Sequence, residues 1–171
     1  MSAEYLVISS SLRSGSLSRR LGELLVHEFE KAGGHVDLRD YPLPLCDGEA
    51  AYSDPNVGKL SAKIAAARVV FIATPIYNFD ANAAVKNLVE LTGSAWEDKI
   101  VGFACAAGGA LSYMSVMGLA NSLMLDFRCL IIPRFVYATG DDFEGDRVPK
   151  PEIAKRIKQL AAAAKTIRNH S

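Results

Sequence analysis

Tyr5-Leu-Val-Ile-Ser9 runs straight into Ser10-Ser-Leu-Arg-Ser-Gly-Ser-Leu-Ser18, and that junction sets the fold class. Its first residues are apolar, partly β-branched and closed by serine, the pattern of a strand buried on both faces. The polar segment then opens into Leu17, Leu21, Leu24, Leu25 and Phe29, apolar positions at helical spacing that stop at Gly33-Gly34. A buried strand, a small polar loop and an amphipathic helix begin an alternating α/β chain.

The alternation continues to the other end. Residues 35–39 read as a second short strand closed by Tyr41-Pro-Leu-Pro44, and residues 47–57 as a loop. Residues 59–67 form an Ala-rich helix, and Val69-Val-Phe-Ile-Ala73 a third strand ending at Thr74-Pro75. Residues 82–91 read as helix, 99–105 as a fourth strand and 111–127 as a strongly apolar helix. Leu130-Ile-Ile-Pro133 with Phe135-Val-Tyr137 supplies a fifth strand region that Pro133 interrupts or ends. Pro149 and Pro151 open a last helix, with Ile153, Ile157, Leu160 and Ile167 on one face. Unalternated apolar strands between helices call for a parallel sheet covered on both faces. The expectation is a five-stranded, doubly wound α/β sandwich in one domain, residues 1–171. In such sheets ligands lie beyond the carboxyl ends of the strands, where the strand order reverses.

Composition narrows the partners. Half of the 171 residues are hydrophobic and 22% are charged, so the chain is globular and not disordered. Lys plus Arg equals Asp plus Glu at 19 each, which leaves no electrostatic reason to bind nucleic acid or an anionic membrane. Cys46, Cys105 and Cys129 show no CxxC or metal-type spacing and read as free, mostly buried packing thiols of a cytoplasmic protein. Met1-Ser2-Ala3-Glu4 lacks the features of a signal peptide. The uncharged stretch 100–125 is broken by Gly108-Gly109 and diluted by Ser112, Ser115, Asn121 and Ser122. It is too polar to span a bilayer, so a soluble protein is expected.

Chemistry-bearing residues fall after strands one, three and four. The first loop, residues 9–18, holds six serines, one glycine and Arg13, at a helix start. Hydroxyls, free N–H groups and a guanidinium suit a phosphate dianion. A helix cap with a solvated serine turn is the plainer reading. The loop is neither a Walker sequence nor GxGxxG. The second loop, Thr74-Pro-Ile-Tyr-Asn-Phe79, offers an aromatic, an amide and apolar walls to a planar heterocycle, and fits a Pro-Asn turn equally well. The third, Ala106-Ala-Gly-Gly109, would let a ligand approach the backbone closely, although Gly-Gly before a helix is commonly just a turn.

Together these segments resemble the NADPH-dependent FMN reductase family, a flavodoxin-like group that includes quinone, azo-dye and chromate reductases. The family's Gly-Ser-x-Arg-x-x-Ser-x-Asn motif is matched by residues 10–18. Its Thr-Pro-Glu-Tyr-Asn is matched by Thr74-Pro75-Ile76-Tyr77-Asn78, its Leu-Lys-Asn by Val85-Lys86-Asn87, and its glycine loop by Ala107-Gly108-Gly109. The resemblance implies a flavodoxin-like sheet of strand order 2-1-3-4-5. It also implies FMN, with its phosphate held by Ser11, Arg13, Ser16 and Ser18 beside Leu17. The flavin ring would lie among Pro75, Ile76, Tyr77, Asn78, Phe79, Ala107, Gly108 and Gly109. Ser10, Ser18 and Ile76 replace the usual Gly, Asn and Glu, while Phe79, Asn82 and Ala83 stand where Gly, Pro and Gly are common.

The activity that the resemblance implies is that of an NAD(P)H-dependent oxidoreductase. NADPH or NADH would pass hydride to FMN N5 and leave before a quinone-like or other small acceptor takes its place. Because the flavin carries that chemistry, no catalytic side chain is required. His27, His35 and His170 lie outside the three loops and read as surface or capping residues. The run Asp141-Asp142-Phe143-Glu144-Gly145-Asp146 breaks the calcium-loop pattern and reads as a solvated acidic turn. Two other activities fit the resemblance: supplying reduced FMN to a partner monooxygenase, or carrying electrons as flavodoxins do. A flavodoxin-fold binding module without flavin is a third alternative. The strongly apolar helix 111–127 has Tyr113, Val116, Met117, Ala120, Met124 and Phe127 on one side and further apolar residues beyond it. That breadth, with Asp126 the one charge in the segment, points to a subunit contact in a homodimer or homotetramer.

Overall fold

The computed structural model describes residues 4–145 and 148–168. In chain order the elements are β1 (Tyr5–Ser9), α1 (Leu17–His27), β2 (Gly33–Asp37), α2 (Pro55–Ala66), β3 (Val69–Tyr77), β4 (Asp80–Ala81) and α3 (Ala83–Thr92). After them come β5 (Ile100–Ala107), α4 (Met117–Phe127), β6 (Leu130–Ile131), β7 (Val136–Thr139), β8 (Phe143–Glu144), β9 (Val148–Pro149) and α5 (Pro151–Thr166). The main sheet runs β2-β1-β3-β5, with β6 and β7 both pairing with β5. Every pair in it is parallel except β3 with β4. A separate small ribbon joins β8 to β9.

This is the expected α/β sheet, with its fifth strand position divided between β6 and β7. Ile132 N–H still donates to Val101 O at 2.9 Å, but Pro133 has no N–H to offer. The chain turns there, with Arg134 N–H donating to Ile132 O, and parallel pairing resumes at Val136. A second difference is that β3 runs on through Pro75 to Tyr77 instead of ending at Thr74-Pro75. Ala73 O accepts from Ser10 N–H on the β1 side, so Pro75, two residues on, turns its missing N–H toward that same side. β1 has already ended at Ser9, and no ladder bond is lost.

Other boundaries moved for local reasons. Gly33-Gly34 start β2 instead of stopping α1, because Tyr5 and Leu6 pair with them in register. α2 begins at Pro55, capped by the Asp54 carboxylate, which accepts from Asn56 N–H at 2.7 Å. The apolar segment 111–127 becomes regular helix only from Met117. Pro149 belongs to β9, and Pro151 alone opens α5.

The sheet is buried on both faces. On one side Val7, Phe71 and Ala104 pack against Leu21 and Leu25 of α1 and Ile157 and Leu160 of α5. On the other, Ile8, Ile72 and Phe103 meet Leu60 and Ile64 of α2, Leu88 of α3 and Leu123 of α4. Cys105 and Cys129 are buried, and burial pushes their thiols up to about 12 and about 11. Cys46 differs from the expected buried thiol: it is only partly covered, and its thiol faces the Tyr52 hydroxyl at 3.6 Å. No helix among the described residues is long and apolar enough to cross a membrane.

Close packing across the central strands gives a direct check. A Cβ added to Gly102 on β5 would lie 2.7 Å from Phe71 Cδ1, and that ring is fully buried. Gly102→Ala should therefore lower the unfolding free energy by about 1–3 kcal/mol, read from urea denaturation.

Candidate functional site

Parallel pairing of β1, β3 and β5 sends the three chain exits after Ser9, Tyr77 and Ala107 to one edge of the sheet. A cavity of about 660 Å³ opens there. One end is lined by Arg13, Ser16, Leu17 and Ser18, and the other by Pro75, Ile76, Tyr77, Asn78, Ala106, Ala107, Gly108 and Gly140. The volume falls within the roughly 300–1,000 Å³ usual for small-molecule sites.

At the first end the serine-rich loop enters α1. Ser16 occupies the N-cap position, but its hydroxyl makes no capping bond. It lies 2.8 Å from Ser18 Oγ instead, and both serines are buried against the cavity. The first N–H groups of a helix have no partners within it, and here they converge with two hydroxyls. Arg13 is exposed, and among the described residues its guanidinium has no hydrogen-bond or ion-pair partner. Ser11 is buried and does not line the cavity; its Oγ accepts from Arg13 N–H at 3.3 Å.

A second guanidinium, which the sequence did not single out, lies beneath this loop. Arg19 is 8% exposed; its Nη2 donates to Ser11 O at 2.8 Å and its Nη1 to Arg13 O at 3.2 Å. Its Nε donates to Asp37 Oδ2 at 2.6 Å, and Asp37 also accepts from Arg39 at 2.7 Å. The loop carbonyls are thus drawn inward. Burial alone would raise the Asp37 carboxyl, but hydrogen bonds from Arg39 and then Arg19 outweigh it and hold the group at about 2. An Arg on the first helix turn aligned with an Asp at the end of the second strand was the available sequence signal.

The other end is built on a tight hairpin. Ile76 pairs with Ala81 and Tyr77 with Asp80, so Asn78 and Phe79 form the turn. Both have positive φ, 51° and 64°, the type I′ geometry that glycine adopts most easily. Phe79 is 67% exposed and does not line the cavity. Gly108 lines the cavity; Gly109 does not, and its carbonyl accepts from the Tyr137 hydroxyl. A Cβ on Gly108 would meet no protein atom within 4 Å, so nothing in the fold itself requires glycine there. Ala106, the first residue of the third loop, joins the lining, and so does Gly140, just after β7, which was missed from sequence. The turn holding Gly140 is fixed by the Asp142 carboxylate, which accepts from Thr139 N–H at 2.7 Å.

The structure thus brings together Arg13, Ser16, Leu17, Ser18, Pro75, Ile76, Tyr77, Asn78, Ala107 and Gly108, and leaves Ser11, Phe79 and Gly109 off the lining. His27 ends α1, and His35 lies within β2 with its Nε2 2.9 Å from Ser9 Oγ; neither lines the cavity. Asp146 and His170 lie outside the described residues.

Asp37 makes the loop support pH-dependent. Its folded value of about 2 lies below the ordinary 3.8, so the stabilisation is complete above about pH 4 and is lost as pH falls toward 2. The contribution is about 2 kcal/mol. Urea midpoints measured across that window should fall steeply in the native protein and more shallowly in Asp37→Asn.

Comparison with known proteins agrees with this architecture. Three similar solved structures are an oxidoreductase from Corynebacterium diphtheriae, the flavoenzyme NAD(P)H:(acceptor) oxidoreductase FerB from Paracoccus denitrificans, and an apo NADH:FMN oxidoreductase, EmoB. The first is 18% identical with a TM-score of 0.76, each chain covered over 95%. FerB is 21% identical with a TM-score of 0.76, each chain covered over 93%. EmoB is 15% identical with a TM-score of 0.78, covering 97% of this chain and 90% of its own. At these identities the likeness speaks for the fold. No curated protein matches the chain. The model of the NADPH-dependent FMN reductases matches residues 4–165, nearly the whole chain, and the chain belongs to that family of NAD(P)H-dependent flavin oxidoreductases.

Proposed function

We propose that the cavity binds FMN and that the protein passes hydride from NADPH or NADH, through the flavin, to a quinone-like or other small acceptor. The observation that carries this reading is the polarity of the cleft. Hydroxyls, a helix N-terminus and the Arg13 guanidinium stand at one end, with apolar walls and backbone at the other. Arg13, Ser16 and Ser18 would hold the phosphate dianion. Ile76, Tyr77 and Asn78 on one rim, with Ala106, Ala107 and Gly108 on the other, would flank the ring. Bound FMN would supply the hydride chemistry. The chain's own residues orient the cofactor and leave one side of the cleft open, so donor and acceptor use the same opening in turn.

The same reading extends to assembly as a homodimer or a homotetramer. α4 buries Leu119, Ala120 and Leu123 against the sheet and leaves Met117, Met124 and Leu125 exposed. Leu111, Tyr113 and Met114, just before it, are exposed as well. This apolar face suits a second copy of the chain.

Two measurements test the proposal. Initial rates of NAD(P)H oxidation at several acceptor concentrations should give parallel double-reciprocal lines, whereas intersecting lines would exclude a shared site. In flavin titrations, Arg13→Ala should weaken FMN about tenfold or more and leave riboflavin nearly unchanged. Equal loss for both ligands would remove the phosphate assignment.

A further inference from the structure

Behind the cavity wall lies a buried polar cluster that touches neither end of the cleft directly. Asn82 Nδ2 donates to Ser10 O at 2.9 Å, and Ser10 Oγ donates to Asn82 Oδ1 at 2.8 Å. Thr74 Oγ1 lies 3.1 Å from the same Oδ1. Ser10 and Thr74 are fully buried and Asn82 is 6% exposed. Ser10 directly precedes the rest of the serine-rich loop, and Thr74 directly precedes Pro75 on the ring-side wall. Among the described residues, every side-chain hydrogen bond between the first loop and the segment 73–82 runs through Ser10.

Asn82 also stands at the N-cap of α3, a position where asparagine ordinarily caps the helix with its own side chain. Here it makes no such bond; its amide is directed to Ser10 and Thr74. Local helix formation therefore does not account for the side chain's placement. The tie between the two loops does.

Resting on the FMN reading above, we propose that Ser10, Thr74 and Asn82 form a latch that fixes the spacing between the phosphate end and the ring end of the cleft. They are positioning residues for the cofactor. FMN spans both ends, and the advantage of joining two weak ligands into one depends on the distance between their sites being held. With the latch open, each end still binds its own fragment, but the joined ligand loses its gain.

The test titrates riboflavin, FMN and inorganic phosphate (as a competitor of FMN) against the native protein, Asn82→Ala, Ser10→Ala and Arg13→Ala. Circular dichroism checks that each variant is folded. Asn82→Ala should lower FMN affinity about tenfold and change riboflavin and phosphate less than about twofold. Ser10→Ala removes one hydroxyl and keeps the Asn82 bond to the Ser10 carbonyl. It should fall between native and Asn82→Ala, and it carries the test if Asn82→Ala does not fold. Parallel weakening of FMN and riboflavin in the latch variants, or an unchanged FMN affinity, overturns the latch. Loss of the FMN preference in Arg13→Ala alone overturns the latch and keeps the phosphate assignment. Preservation of that preference in Arg13→Ala overturns both.

Discussion

β3 lies between β1 and β5 with parallel pairing on both sides, from Val69 against Tyr5 and Ile100 onward. Parallel strands all leave the sheet at the same edge, so three neighbouring exits from the centre of the sheet converge there. Antiparallel pairing at either border would send one exit to the opposite edge and dissolve the cleft. The pairing is secured by burial on both faces: Val7, Phe71 and Ala104 belong to one core, and Ile8, Ile72 and Phe103 to the other. A slip of one residue would exchange the two sets and misfit both helix layers. The site is thus a consequence of core packing before any of its own residues contribute.

Within the site, two arginines of the same short segment have opposite fates. Arg19 is buried, neutralised by Asp37, and its remaining donors hold the carbonyls of Ser11 and Arg13. A buried guanidinium without such partners would be costly, so the ion pair and the loop bonds depend on each other. Arg13 is exposed and keeps its donors for solvent or an anion. The buried residue shapes the loop, and the exposed one gives it a charge to present.

The hairpin rim and the latch show how departures from a family pattern can fit together. Phe79 takes a left-handed conformation where glycine is common, a local strain of the kind that collects at functional rims. Ser10 and Asn82 replace residues that the family usually fills with Gly and Pro. In the fold these two substitutions meet as partners in one buried hydrogen-bond cluster. Read singly along the sequence, each is only a departure from the usual residue; across 72 positions they form a bond.

The alternation of strand and helix, the parallel sheet and the three loops that line the cavity were all legible in the amino-acid order. Those features rest on local signals: unbroken apolar runs such as residues 69–73, helical spacing in α1, and polar or glycine-rich residues at strand exits. Most of the cavity lining was legible too, from Arg13 and Ser16 to Tyr77 and Gly108. The continuation of β3 through Pro75 was not, because only the early end of β1 leaves that missing N–H unneeded. Pro133 signalled the split between β6 and β7, but where pairing resumes depended on β5. Arg19, Asn82 and Gly140 owe their places to the folded chain alone. Arg19 depends on Asp37 of the neighbouring strand, Asn82 on Ser10 across 72 positions and Gly140 on the pairing of β7 with β5, whereas periodicity and motif spacing record only what neighbours in sequence require.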